Sequence, residues 1–220
     1  DGTCQLWWRG LEHAIANTSE VKAEIGGERL QISTVTPEEK QQAWSRLYWP
    51  VRRLDQHYQR RWIAAFCDRH SVDLEKICTA AAMTWDELRG IASDPLCTIG
   101  AHTINHYAVS QLSEDEAIAE MAGSADRIEN ELGARPRYFA YPYGDEASAG
   151  PRDFVLAARA GFRAAITTRK GMIYRAHKAH LTGLPRVSLS GTYQNIRYVK
   201  TLLSGAPFVM FNGMRTLNVN

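Results

Sequence analysis

Four of the seven histidines in this sequence, the residues best suited to hold a metal ion or move a proton near neutral pH, fall in two close pairs. His102-Thr103-Ile104-Asn105-His106 follows directly on residues 96–101, an apolar run of strand length. In a parallel α/β protein, residues just past the C-terminal end of a strand lie on the functional rim. Two imidazoles four apart, in a loop entering a helix, can turn toward one cation, and neutral imidazole is a common metal ligand. The same spacing also suits an ordinary pair of surface histidines at a helix start. A second constellation, Tyr138-Phe139-Ala140-Tyr141-Pro142-Tyr143-Gly144-Asp145, ends a strand in a rigid turn with two phenols at its edge. Such a turn can aim a backbone N–H at a carbonyl oxygen and stabilise charge that develops there. It can equally be a tight turn with packed aromatics. A third, His177-Lys178-Ala179-His180, precedes Leu184-Pro185-Arg186, and its imidazoles suit proton transfer or stand as exposed loop residues. His13, His57 and His70 lie in a charged helical region without useful spacing.

Together the first two constellations are more specific than either alone. His-Thr-x-x-His after an apolar strand, then Phe-Ala-Tyr-Pro-Tyr-Gly about thirty residues on across a capped helix, resembles the NodB-homology polysaccharide deacetylases. The resemblance runs from Met83 to about Phe211, and Met83-Thr84-Trp85-Asp86-Glu87-Leu88 matches the helix that members carry before the histidine strand. It implies a distorted TIM-like (β/α)7 barrel and a divalent metal, most often zinc, held by an aspartate and two histidines. His102 and His106 would be those metal ligands. Pro142 and Tyr143 would line the acetyl pocket, with Tyr141 at the same substrate edge, and the Tyr143 N–H would help stabilise the oxyanion. A late histidine acts as general acid in the family; here that is His180, with His177 behind it. The implied reaction is removal of N-acetyl groups from an amino-sugar glycan, a hydrolysis of a carbon–nitrogen bond.

The sequence also departs from the pattern. Ala140 stands where many members have an arginine. The family's Thr-Phe-Asp-Asp-Gly motif, source of the general base and of the aspartate ligand, does not occur. Asp1-Gly2 has its last two letters, but Leu6-Trp7-Trp8 follows in place of the expected amphipathic helix and apolar strand. The expectation is therefore a barrel lacking its first strands. Residues 1–82 form a mainly helical insertion, residues 83–220 form the C-terminal part of the barrel, and the third ligand is missing. Such a chain should be inactive or nearly so. Two other readings stay open: a catalytically dead carbohydrate-binding relative, and a small-substrate amide or imide hydrolase on the same fold.

The elements that must position these residues follow from periodicity and punctuation. Trp8, Leu11 and Ile15 mark one helical face, and residues 21–34 alternate around Gly26-Gly27 as a hairpin. Thr36-Pro37-Glu38-Glu39 opens a helix carrying Trp44, Leu47, Tyr48 and Val51, which Pro50 ends or kinks. Tyr58, Trp62 and Phe66 form the stripe of the next helix. Thr84–Glu87 caps a helix to about Ala92, and Ser113–Glu116 caps a long one stopped by Gly133. Strands are expected at 137–141, 162–167 and 207–211, with helices at 154–160 and 192–203. Strand and helix in alternation argue a parallel α/β sheet or barrel.

Composition excludes several classes. The 220 residues are 45% hydrophobic, enough for a real core. The 26 basic and 24 acidic residues leave a net charge of +2, which argues against a dedicated nucleic-acid surface. Arg46, Arg52, Arg53, Arg60, Arg61 and Arg69 lie among aromatics at helical spacing, so they read as the solvated side of a core stripe. No apolar run approaches the ~20 residues of a membrane span, and the first residues have no signal-peptide pattern. Cys4, Cys67, Cys78 and Cys97 show no metal-site spacing and read as reduced thiols, which favours a cytoplasmic home. Trp7, Trp8, Trp44 and Trp49 could face a second copy in a homo-oligomer or form a core.

Overall fold

The computed structural model describes residues 5–192 and 194–219. Asp1-Gly2 and Cys4, and Tyr193 within the expected last helix, lie outside the described residues. The fold is mixed α/β, in two compact units, Asp1–Ile91 and Ala92–Asn220.

In the first unit α1 (Trp7–Asn17) is followed by the antiparallel pair β1 (Glu20–Ile25) and β2 (Glu28–Ser33). Gly26 and Gly27 take φ of +60° and +81° between them, the two left-handed residues that a tight hairpin turn requires. α2 (Pro37–Arg52) begins with a reciprocal capping box between Thr36 and Glu39, as expected. It runs through Pro50 to Arg52, because the proline falls in the last turn and costs little helix beyond it. α3 (Gln56–Arg69), α4 (Leu74–Ala81) and α5 (Trp85–Ala92) complete the unit. The buried edge of α1 is Trp7, Leu11, Ala14 and Ile15, with Trp8 only partly buried, so the apolar stripe begins one residue earlier than the spacing of Trp8 suggests. Trp62 and Phe66 are buried and Tyr58 is exposed. Trp62 also donates from Nε1 to the Glu24 carbonyl at 2.7 Å, tying α3 to β1. Arg46, Arg53, Arg61 and Arg69 are exposed, the solvated side of that stripe. Of the four tryptophans that could face a second copy or form a core, Trp7 is fully buried in this core, Trp8 and Trp44 pack against it partly buried, and Trp49 is half exposed.

The second unit is built on a three-stranded parallel sheet in the order β3 (Tyr138–Ala140), β4 (Ala164–Lys170), β5 (Leu184–Arg186). Before it come α6 (Glu114–Leu132), capped by Ser113 and Glu116 and closed by left-handed Gly133, and after β3 comes α7 (Pro151–Arg159). Phe139, Tyr141, Phe154, Leu156, Phe162 and Met121 are among its buried core. α8 (Ile196–Leu203) and α9 (Ala206–Phe211) end the described chain.

Two expectations are corrected. Residues 96–101 are not a strand: only Ala101 makes a bridge, parallel to Phe139. Ala101 is buried against β3, whereas Leu96 at the other end of the run is 95% exposed. Residues 207–211 are helical, because left-handed Gly205 starts a new turn and Pro207 sits in its first turn, where proline is favoured. A five-residue apolar run does not distinguish strand from helix by period alone. The sheets found among the described residues have two and three strands and form no closed barrel, so of the expected incomplete barrel it is the mixed α/β character that is seen.

Among the described residues Cys67 and Cys78 are buried free thiols and Cys97 is half-buried. Burial pushes the Cys67 thiol up to about 11, so little thiolate exists near neutrality. Brief labelling of the native protein with iodoacetamide at pH 8, read by mass spectrometry, is expected to modify Cys97 well before Cys67 or Cys78. Equal labelling of Cys67 would contradict the packing described. No helix among the described residues is long and apolar enough to cross a membrane.

Candidate metal centre

The loop after Ala101 is held in an uncommon conformation. Thr103 and His106 take φ of +61° and +56°, and Tyr143, in the neighbouring turn, takes +61°. Positive φ at a β-branched residue such as Thr103 is a genuine outlier, and strain of this kind collects where a surrounding structure imposes it. Its effect is to bring the motif together. The His102 and His106 rings meet edge to face with centroids 4.8 Å apart, and His106 meets the Tyr143 ring in the same manner at 4.9 Å.

His102 Nδ1 lies 2.6 Å from the carbonyl oxygen of Ala140. A carbonyl can only accept, so Nδ1 carries the proton and Nε2 keeps its lone pair, the tautomer that a metal ligand needs. Although part of the ring reaches the surface, the protein around it strips enough hydration to pull its pKa below the usual histidine value. The Ala140 carbonyl opposes that shift and the Arg186 guanidinium adds to it. The neutral form is therefore favoured. In the same loop the Thr103 hydroxyl is buried with no hydrogen-bond partner among the described residues. This donor chemistry fits two positions of a divalent cation. Among the described residues no group of three or more His, Cys, Asp or Glu side chains is placed to hold an ion.

The Tyr-Pro-Tyr-Gly turn is anchored from β4. Thr168 donates from Oγ1 to the Tyr143 carbonyl at 2.6 Å and from its backbone N–H to the Gly144 carbonyl at 2.9 Å. Pro142 is buried and Tyr143 half-buried. Tyr141, expected at the substrate edge, is instead 1% exposed, and its hydroxyl donates to the Thr182 carbonyl at 2.7 Å. It packs edge to face on Phe139, on the same core side, and its hydroxyl ties the end of β3 to the short helical turn Leu181–Gly183, while the left-handed backbone at Tyr143 takes that residue out of the strand's alternation. His180 is exposed just before that turn and makes no ring contact or hydrogen bond with the His102–His106 pair. His177 is 1% exposed; its Nδ1 accepts from the Tyr174 N–H at 3.0 Å, and its ring stacks on Tyr174. That places its proton on Nε2 inside the protein, a packing role.

Sequence reasoning missed Glu120. It sits at 9% exposure on α6 and accepts hydrogen bonds from the N–H groups of Ile104 and Asn105 and from the Asn105 amide. A signal was present: Ala117, Glu120, Met121, Ser124 and Ala125 make one buried stripe at helical spacing, and a glutamate in such a stripe needs a partner.

Residues 59–165 match the polysaccharide deacetylase family, just under half of the chain and beginning upstream of Met83. No curated protein sequence matches the chain. Among solved structures, the Streptococcus pyogenes deacetylase PplD in complex with acetate is similar, with a TM-score of 0.51 and 21% identity, covering 64% of each chain. IcaB from Ammonifex degensii is 29% identical over 39% of this chain and 40% of its own, with a TM-score of 0.35. A polysaccharide deacetylase from Bacillus cereus is 19% identical over 55% of this chain and 37% of its own, with a TM-score of 0.48. The similarity to the Streptococcus structure concerns the fold, and the chain spans less than two thirds of that protein's length.

Proposed function

We propose, from the membership of residues 59–165 in the polysaccharide deacetylase family, that the second unit carries the histidine side of a metal-dependent N-deacetylase site. The observation that supports this most is the meeting of two motifs far apart in sequence: the His102–His106 pair, oriented by the Ala140 carbonyl, and the Tyr143 turn beside it. His102, through Nε2, and His106 would hold a divalent cation, zinc by the softness and geometry of imidazole donors. When bound, such a cation supplies Lewis acidity, polarising a carbonyl and acidifying water.

The remaining roles belong to the chain's own groups. Buried Pro142 and half-buried Tyr143 give one wall for an acetyl group, and the rigid turn presents the Tyr143 backbone to a carbonyl oxygen on which charge develops. His180, whose exposed imidazole can reach a bound substrate, is the candidate to protonate the departing amine. The burial of His177, and the hydrogen bond its Nδ1 accepts from the Tyr174 N–H, favour His180 over it for this role. The substrate class is an N-acetylated amino-sugar glycan, and the three parallel strands would be an arc of the family's barrel. With two imidazoles and no carboxylate grouped with them among the described residues, turnover by this chain should be low.

The test is release of acetate from an N-acetylated glucosamine oligomer with added zinc, compared with His102→Ala and His106→Ala. Whatever turnover occurs should need both imidazoles and should stop with a chelator. Turnover that survives either substitution, or fast turnover that ignores the chelator, contradicts the proposal.

A further inference from the structure

Loop 102–106 carries backbone strain, and one buried side chain accepts hydrogen bonds from its middle. Between the two histidines the backbone passes through left-handed Thr103 and enters left-handed His106, neither of them glycine. The two N–H groups between these residues, on Ile104 and Asn105, point the same way and converge on one oxygen, Glu120 Oε2, at 3.0 and 2.9 Å. The other oxygen, Oε1, accepts from Asn105 Nδ2 at 2.6 Å. A buried carboxylate with three donors is strongly bonded, and hydrogen bonds to a charged acceptor are about twice as strong as neutral ones. One turn further along α6, Gly123 lies directly beneath Ile104, whose Cδ1 sits 2.6 Å from the place a Cβ would take. The helix thus meets the loop with an acceptor at Glu120 and with empty space at Gly123, on one face.

We propose that Glu120 is a positioning residue of the histidine pair: it holds the 104–105 backbone in the shape that brings His102 and His106 together. This rests on the reading of those histidines as metal ligands. Glu120 itself touches neither ring in this arrangement and acts through the loop. The claim separates geometry from charge. In Glu120→Gln the amide oxygen can still accept from both backbone N–H groups, and its NH2 can donate to Asn105 once that side-chain amide turns over. The neutral variant therefore keeps the loop, and Glu120→Ala loses it.

The experiment measures zinc affinity by competition with a chromophoric chelator, and the ring resonances of His102 and His106 in metal-free protein by NMR. Glu120→Ala should weaken zinc binding by about 10- to 100-fold, the usual effect of losing an outer partner of a ligand set. It should also shift both ring signals. Glu120→Gln should restore most of the affinity and return the signals close to their original positions. Should Glu120→Ala fail to fold, Asn105→Ala, which removes one of the three donors, should show smaller changes in the same direction. Wild-type affinity and unmoved rings in the alanine variants would overturn the proposal, as would a glutamine variant as impaired as alanine. If wild-type protein shows no zinc binding that His102→Ala removes, the metal reading fails, and the metal-free ring signals alone decide the role of Glu120.

Discussion

Replacing Gly144 by alanine should destabilise the second unit by about 3 kcal/mol, combining the cost of a side chain at positive φ with that of overpacking. Gly144 has φ of +68°, where an alanine is strained whatever the space around it. Space is also lacking: an added Cβ would lie 2.7 Å from the backbone nitrogen of Thr168 and 3.2 Å from the carbonyl carbon of Thr167. Those atoms belong to β4, the central strand of the sheet, paired on both sides with β3 and β5. A central strand cannot yield as a flexible side chain would. The turn must move instead, and with it the hydrogen bonds from Thr168 to the Tyr143 and Gly144 carbonyls. Urea unfolding of the variant should show an early transition for the second unit with that of the first unit nearly unchanged. A loss under about 1 kcal/mol would mean that the turn is looser than its contacts indicate. Because Tyr143 packs on His106, the same substitution should weaken any metal held by the pair.

The parts of this fold that could be read from sequence are those governed by local chemistry. The capping boxes at Thr36 and Ser113, the Gly26–Gly27 hairpin and the stop at Gly133 all form as expected, since each depends on groups within a few residues. Elements governed by distant partners were harder to read. Residues 96–101 look like a strand because they are apolar, yet only Ala101 finds a neighbour. Residues 207–211 have the same look and are helical, because Gly205 and Pro207 set the backbone. Tyr141 shares its motif with Tyr143, but one is buried in the core and the other faces His106, because the chain leaves the strand and turns through a left-handed Tyr143; alternation alone would have put both on one side.

The candidate site divides in the same way. The histidine pair and the Tyr-Pro-Tyr-Gly turn stand out as motifs, and in the structure they meet. What orients them lies elsewhere: a main-chain carbonyl at Ala140, a hydroxyl at Thr168 and a carboxylate at Glu120. A carbonyl leaves no trace in a sequence, and the threonine is one of many. Only the glutamate, misplaced in an apolar stripe, could have been noticed. His180 and His177 are alike in sequence and opposite in environment, one exposed and one buried.

If His102 and His106 bind one divalent cation together, isothermal titration of the chain with zinc at pH 7.5 should give one zinc per chain. His102→Ala and His106→Ala, titrated alongside, should each lose at least a hundredfold in affinity, since a single imidazole is a poor site. Zinc binding that is unchanged in both variants, or none in the wild type at millimolar zinc, would contradict binding by the pair.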